Sequence, residues 1–428
     1  MNKKKGIVPK LRFPEFKNNE FWLYDFLGYL STVLRGGSPR PIDEYLTSDT
    51  NSMNWLKIGD INKEDKYITK TSERVKKQAL GKTRVVHSGD LIMSNSMSFG
   101  RPYLLKISTC IHDGWIAITE INSDINKEYL YYYILSDISQ IYFMQSAAGG
   151  GIKNLNAEII KKLIVLHPGN IIEQQKIADC LSSLDELIDA ESRKLKALEK
   201  HKKGLMQKLF PAEGKALPEW RFPEFQGCGE WKSQKLKLIC DFQEGFAFSS
   251  NDFVANDTDS NYIQVVRITD INNKNSNTDK VFVNMDLIRS NDLYKYLISK
   301  NDLILSLTGA AGFNFFIWNT NIAVLNQRTL KLIPKDEKNH AIKFLIEPLI
   351  HKEINMHGTG QNNNLSKEVL KNVEIVLPTS FKEQQKIANC LSELDTIITE
   401  QSNKVEQLKK HKKGLMQGLF PSLEEADV

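Results

Sequence analysis

This chain lacks most of the short motifs that announce chemistry. It has no Pro-Pro pair, so the Asn-Pro-Pro-aromatic element that holds a reacting amino group in adenine-N6 methyltransferases is excluded, and no G-x-x-x-x-G-K-[ST] loop to cradle nucleotide phosphates. Its 8 histidines form no H-x-x-x-H pair, and its 5 cysteines, at 110, 180, 228, 240 and 390, form neither a C-x-x-C pair nor a dense disulfide framework. The nearest imitation of a metal nuclease, Asp60 with Glu64 and Lys66, is too compact for two adjacent strands and reads as a solvated turn. Neither a metal nor any other cofactor is therefore expected. No run of 18 apolar residues occurs, and the basic start MNKKKGIVPKLRF has no apolar stretch behind it, so the chain is expected to be soluble, cytoplasmic and without membrane contact. With 41% hydrophobic and 25% charged residues the composition is that of an ordinary globular protein of two to four domains; a net charge of +5 only mildly favours an acidic partner.

What the chain does have is a duplication. The segment EQQKIADCLSSLDELIDAESRKLKALEKHKKGLMQKLFP from Glu173 returns as EQQKIANCLSELDTIITEQSNKVEQLKKHKKGLMQGLFP from Glu383, 210 positions later. Each copy closes a half that opens with RFPEF, at 12–16 and 221–225. Between tag and segment the halves match only in scattered places, as expected of a kept scaffold carrying variable inserts.

Both copies read as long helices with heptad seams. The first seam runs Ile177, Leu181, Leu184, Ile188, Leu195, Leu198, Leu205 and Leu209, with Glu191 and Lys202 in the two gaps. The second runs Ile387, Leu391, Leu394, Ile398, Val405, Leu408, Leu415 and Leu419, with Gln401 and Lys412 in the gaps. Asn170 and Ser380 are placed to cap, with Glu173 and Glu383 three residues on to reach back; Pro168 and Pro378 precede the caps, and Pro211 and Pro421 end the helices. One such stripe could lie on its own domain's core, but two narrow stripes in one chain supply each other with a partner. An antiparallel pair, a rod of about 55 Å, is expected, with Glu191 and Gln401 as mid-seam polar breaks that fix register.

The variable halves read as mixed α/β domains. After Trp22 or Trp231 comes a small-residue turn, RGGSPRP at 35–41 or EGFAFSS at 244–250, then strand-like runs ending alike, WLKIGDIN at 55–62 and YIQVVRITDIN at 262–272. SGDLIMSNSMSFGRPYLL from Ser88 matches KNDLILSLTGAAGFNFFI from Lys300, and each half finishes with a glycine-bearing loop, GGGIKNLN at 149–156 or GTGQNNNLS at 358–366, before a short helix and a strand.

On these twin EQQKIA-to-LFP segments and paired tags the whole chain resembles the DNA specificity subunits of type I restriction-modification systems. The resemblance implies a fold of two pseudo-repeated mixed α/β (α+β) target recognition domains joined by two long helices in an antiparallel coiled coil. The expected domains are recognition domain 1 at 1–168, helical region 1 at 169–211, recognition domain 2 at 212–378, and helical region 2 with its tail at 379–428. It also implies a non-catalytic subunit that reads a split, asymmetric double-stranded DNA target. The helices would dock two adenine-N6 methyltransferase subunits, and the complex would recruit translocase and endonuclease subunits.

Two different readers on a rigid spacer suit such a target, since footprints on one face of B-DNA lie roughly 34 Å apart. Arg favours guanine and Asn or Gln adenine, while basic side chains hold phosphates. Candidate DNA-binding residues are therefore Arg35, Arg40, Lys57, Asn95, Arg101, Lys153 and Asn154 in the first half, and Arg267, Asn314, Arg328, Gln361, Asn362, Asn363 and Asn364 in the second. Gly, Asn and Ser are also what ordinary turns contain. A methyltransferase-only system, or a coiled-coil adaptor with protein-binding heads, would keep the same architecture.

Overall fold

The computed structural model describes residues 7–62, 64–95, 100–146, 155–212, 214–255, 261–272, 280–307, 315–318, 321–336, 342–343, 345–346, 349–350 and 367–421. The chain divides into two compact units, Met1–Ser192 with Asn403–Val428, and Arg193–Ser402. Each unit thus takes the start of one long helix and the end of the other.

In the first unit the described strands form two five-stranded sheets and a ribbon. One sheet has the order Leu46–Thr47, Glu73–Val75, Met53–Leu56, Thr109–Ile111, Arg84–Val86. The other has the order Thr32–Arg35, Trp115–Thr119, Leu91–Ser94, Pro102–Leu105, Tyr67–Ile68. Leu91–Ser94 and Pro102–Leu105 are buried at every position, which explains why their sequence shows continuous apolar runs instead of alternation. The helix Lys127–Leu135 starts at Asn126, whose side chain accepts from the backbone N–H of Tyr129, and buries Tyr129 to Ile134. The second unit repeats the plan with two four-stranded sheets: Cys240–Glu244, Thr329–Pro334, Leu303–Ser306, Phe315–Ile317, and Val281–Asn284, Tyr262–Val266, Ala323–Leu325, Leu297–Ile298. In each unit the strand after the tag pairs antiparallel with the strand that enters the long helix, Leu23–Phe26 with Ile164–His167 and Lys232–Lys235 with Glu374–Leu377.

The long helices are Ile171–Leu209 and Phe381–Leu419, 39 residues each, and they form an antiparallel coiled coil. In the first unit Lys412 Nζ lies 2.5 Å from Asp185 and Lys404 Nζ 2.5 Å from Glu191, so numbers rising in one helix fall in the other. In the second unit the same pairing gives Lys202 to Asp395 at 2.5 Å. The gap lysines Lys202 and Lys412 therefore reach partner carboxylates beside the seam. Ile177, Leu181, Ile188, Leu209, Ile387, Leu391, Val405 and Leu419 are buried, while Leu184, Leu195, Leu198, Leu394, Ile398 and Leu408 are half-buried.

Packing onto a domain core and pairing in a seam turn out to be combined. Ile177, Ala178 and Leu181 join one core together with Leu419 and Phe420 from the other helix's end. Ile387, Ala388 and Leu391 join another together with Leu209 and Phe210. Burying both ends of both stripes explains why the segment is kept through to its final Leu-Phe-Pro.

The expected capping role of the glutamates is corrected. Asn170 does cap, accepting from the N–H of Ile172 at 2.9 Å, but Glu173 turns away from the helix start. Its carboxylate is gripped by Arg12 of the first tag through two hydrogen bonds of 2.8 Å, with Trp22 Nε1 at 3.3 Å. Glu383 is held likewise by Arg221 of the second tag at 2.6 and 2.7 Å, with Trp231 Nε1 at 3.2 Å. A charge that loses water is stable only when paired and hydrogen-bonded, and a forked guanidinium does both. The tag is thus the lock on the helix entrance. The strand-like runs also end differently from expectation: after Leu56 and Val266 the chain turns into short helical segments, Ile58–Asp60 and Ile268–Asn272. Asp60 accepts the Lys57 N–H at 2.9 Å and Asp270 the Arg267 N–H at 2.8 Å, a cap that diverts the backbone from extension.

Candidate nucleic-acid interface

Each unit builds the same rim from three pieces distant in sequence. In the first unit Met53–Leu56 runs parallel to Thr109–Ile111, which places Lys57 beside the turn His112–Gly114. In the second, Tyr262–Val266 runs parallel to Ala323–Leu325, and Asn326 N–H donates to the Val266 carbonyl at 3.0 Å, placing Arg267 beside the turn Asn326–Arg328. The third piece is the small-residue loop that follows Thr32–Arg35 in the first unit and Cys240–Glu244 in the second. Gly36 donates to Trp115 O at 2.8 Å and Gly37 to Ile111 O at 3.1 Å; Gly245 donates to Thr329 O at 3.0 Å and Phe246 to Leu325 O at 2.9 Å. These bonds align His112, Asp113 and Gly114 with Asn326, Gln327 and Arg328. Only glycine fits at the crossing, because a Cβ on Gly36 would lie 2.1 Å from His112 O and one on Gly245 2.0 Å from Asn326 O.

Asp113 organises the first rim. Its carboxylate accepts from Ser38 Oγ at 2.6 Å and lies 3.9 Å from Arg35 and 3.6 Å from Arg40, while its carbonyl accepts from Arg35 Nε at 2.9 Å. The Ser38 hydroxyl, followed by other bonds and the nearby cations, outweighs partial burial and holds the Asp113 carboxyl below its usual range. His112 is pushed down by burial, against the pull of Asp113. Its Nδ1 accepts the Gly114 N–H at 2.8 Å, so the ring is neutral and the proton sits on Nε2, although Asp113 lies within 3.8 Å of the same nitrogen. Arg40, Lys57 and His112 line one concavity of about 430 Å³ with Ser38, Trp55 and Ile58. Lys57 lies 2.6 Å from Glu73, which raises its pKa.

The candidates chosen from sequence divide accordingly. Arg35, Arg40 and Lys57 come together on the first rim, and Arg267 and Arg328 flank the second. Asn95 does not reach a surface: it is 2% exposed, and its side-chain amide donates to Asp113 O at 2.9 Å, bracing the turn from inside. Arg101 lies over the Tyr103 ring at 5.8 Å, its Nε buried without a hydrogen-bond partner among the described residues, on a separate cavity of about 570 Å³ that shares no residue with the rim. Lys153, Asn154, Asn314, Gln361, Asn362, Asn363 and Asn364 lie outside the described residues. The arginine Arg267 is pinned by Asp270 at 3.3 Å. Sequence reading missed His112, Asp113, Asn326 and Gln327. The turn signal HDG was available, but nothing local marks it as the structural counterpart of NQR.

The type I restriction modification DNA specificity domain family matches twice, over residues 3–200 and 229–410. The chain belongs to that family. It is similar to the type I restriction enzyme MjaVIII specificity subunit of Methanocaldococcus jannaschii, 25% identical over 349 residues covering 78% of each chain. The MjaIX specificity subunit of the same organism is 25% identical over 175 residues, 40% of this chain and 39% of that one. The fold of this specificity subunit is also that of the crystal structure of a type I restriction-modification S subunit from M. genitalium, with a TM-score of 0.62 and 16% identity over 97% of this chain and 100% of the other. A structure titled for complex assembly and conformational transition of the type I system gives 0.52 at 17% identity, covering 94% and 97%. Among the described residues of the specificity subunit, no helix is long and apolar enough to cross a membrane, and no group of three or more His, Cys, Asp or Glu is placed to hold a metal.

Proposed function

We propose that this specificity subunit binds double-stranded DNA through its two rims, each reading one half of a split, asymmetric target. The observation that carries this is the repetition itself: one pattern of parallel strand pairing and loop hydrogen bonds built twice, with chemically different side chains at equivalent positions. A shared catalytic site would keep its residues; a pair of readers would keep its frame and vary what it displays. Lys57 and Arg267 at equivalent strand ends, with Arg35 and Arg40, suit phosphate contacts, and the turns suit base edges. Residues 1–168 govern one half-site and 212–378 the other.

The subunit itself does no chemistry in this reading. The coiled coil, with exposed His201, Lys203, His411 and Lys413 repeated on its two helices, docks two adenine-N6 methyltransferase subunits, and the assembly takes on translocase and endonuclease subunits. Purified alone, the chain should methylate, cleave and hydrolyse nothing. With its cognate methyltransferase subunit it should direct adenine methylation to one bipartite sequence, read by long-read mapping of methylated adenines in cells with and without the gene. Turnover by the isolated chain, or an unchanged methylation map on deletion, would contradict this reading.

A further inference from the structure

Arg328 has a backbone it should not want. Its φ is +64°, in the left-handed region where a Cβ crowds the carbonyl. Glycine would hold this turn with less strain. Nothing structural accounts for keeping the side chain: Arg328 is exposed, and among the described residues its guanidinium makes no hydrogen bond or ion pair. Only its backbone carbonyl is used, accepting from Leu307 N–H at 2.9 Å. The neighbouring Arg267 differs in this respect, since Asp270 holds its guanidinium.

The rest of the turn is built to hold that arginine out. Thr329 Oγ1 donates to Asn326 O at 2.5 Å, Thr329 N–H donates to the same oxygen at 3.3 Å, and Asn326 Oδ1 accepts the Gln327 N–H at 2.9 Å. Gln327 is exposed beside it. The hydrogen-bonded turn therefore displays, side by side, a guanidinium and a carboxamide that have no partner among the described residues. The guanidinium's parallel donors match the O6 and N7 acceptors of guanine, and the carboxamide matches the N6 donor and N7 acceptor of adenine. At the equivalent place in the other unit Asp113 is tied to Ser38, Arg35 and Arg40, so there the carboxylate aims two arginines instead of reading a base itself.

We propose that Arg328 is the specificity-determining residue of the second unit, reading one guanine of its half-site in the major groove, with Gln327 reading an adjacent adenine. The inference rests on the DNA-reading function proposed above and assigns it to particular side chains.

The test uses the full complex with its methyltransferase subunit and duplexes carrying the mapped target, or the target altered at each position of the second half-site. Arg328→Gly should leave thermal stability equal or higher, weaken the cognate duplex by roughly tenfold to a hundredfold, and abolish discrimination at one G·C pair. Gln327→Ala should relax discrimination only at a neighbouring A·T pair. If Arg328→Gly keeps affinity and discrimination, or weakens all duplexes alike with a shallower salt dependence, the base-reading assignment is overturned while the two-reader function stands. A fall in melting temperature on Arg328→Gly would mean the side chain is structural and also overturns it. If the unaltered complex prefers no sequence at all, the underlying function fails first, and that result is separate from any mutant.

Discussion

Individual residues on the first rim are held in states that the surrounding packing imposes. His112 sits between the rings of Trp55 and Trp115, at 6.1 and 6.2 Å between centroids, and is kept neutral as an acceptor for Gly114. Its folded pKa lies below the unfolded value of about 6.5, so its stabilising contribution is complete above that pH and drains away as pH falls through the folded value. Asp113 is depressed too, but its contribution is lost only below about pH 4. Between pH 7 and 5 the loss at this turn therefore belongs to histidine. His112→Gln should flatten the decline in thermal stability over that window relative to the unaltered chain; an identical slope would show that the ring is free to protonate in place. Asn95 belongs to the same turn from beneath. Asn95→Ala should cost about 0.5–1.5 kcal/mol in chemical denaturation, because the Asp113 carbonyl loses one of its two donors and keeps Arg35 Nε.

Among the elements, the tag and the helix start act as one unit. Arg12 and Glu173 have side chains 6% and 1% exposed, and Arg221 and Glu383 8% and 1%. Removing one partner of such a pair leaves an uncompensated buried charge, at about 3–5 kcal/mol. Arg12→Met should therefore destabilise the first unit strongly, while Arg12→Met with Glu173→Leu should recover most of the loss. Hydrogen exchange at the amides of residues 171–181 would report both. Recovery failing in the double variant would mean that the bidentate geometry, and not the lone charge, holds the entrance. The capping-box expectation failed here because the requirement for a Glu three residues after the cap is met by chemistry that brings it a partner 161 residues away.

Taking the whole molecule, the function proposed for the two rims makes the recognition domains exchangeable and the coil a spacer. Replacing residues 1–168 by a relative's domain should change one half of the methylated sequence and leave the other half intact. Inserting seven residues into both helices, near Lys194 and near Ser402, preserves the seam and adds about 10 Å, some three base pairs of rise. The half-sites should then keep their sequences while the unread gap grows, or methylation should cease if docked partners resist the stretch. Altered half-site sequences at a constant gap would show that the helices themselves read DNA.

What the sequence determined by itself was everything that repeats at short range or in register: the duplication, the two helices, their seam and its antiparallel sense. Heptad spacing is a local property, whereas the carboxylate partners of the gap lysines, Asp185 for Lys412 and Asp395 for Lys202, came only from the structure. The family resemblance followed from the same segments. Only the tertiary structure decided which side chains share a rim, that Asn95 is interior, and that Asp113 commands Arg35 and Arg40. The rims are assembled by parallel pairing of strands far apart in the chain, Met53–Leu56 with Thr109–Ile111 and Tyr262–Val266 with Ala323–Leu325. Long-range pairing leaves no period to read. The equivalence of HDG and NQR shows only in the hydrogen bonds that Gly36, Gly37, Gly245 and Phe246 donate to the carbonyls flanking them, those of Trp115, Ile111, Thr329 and Leu325, and a bond to a backbone carbonyl leaves no mark on side-chain identity.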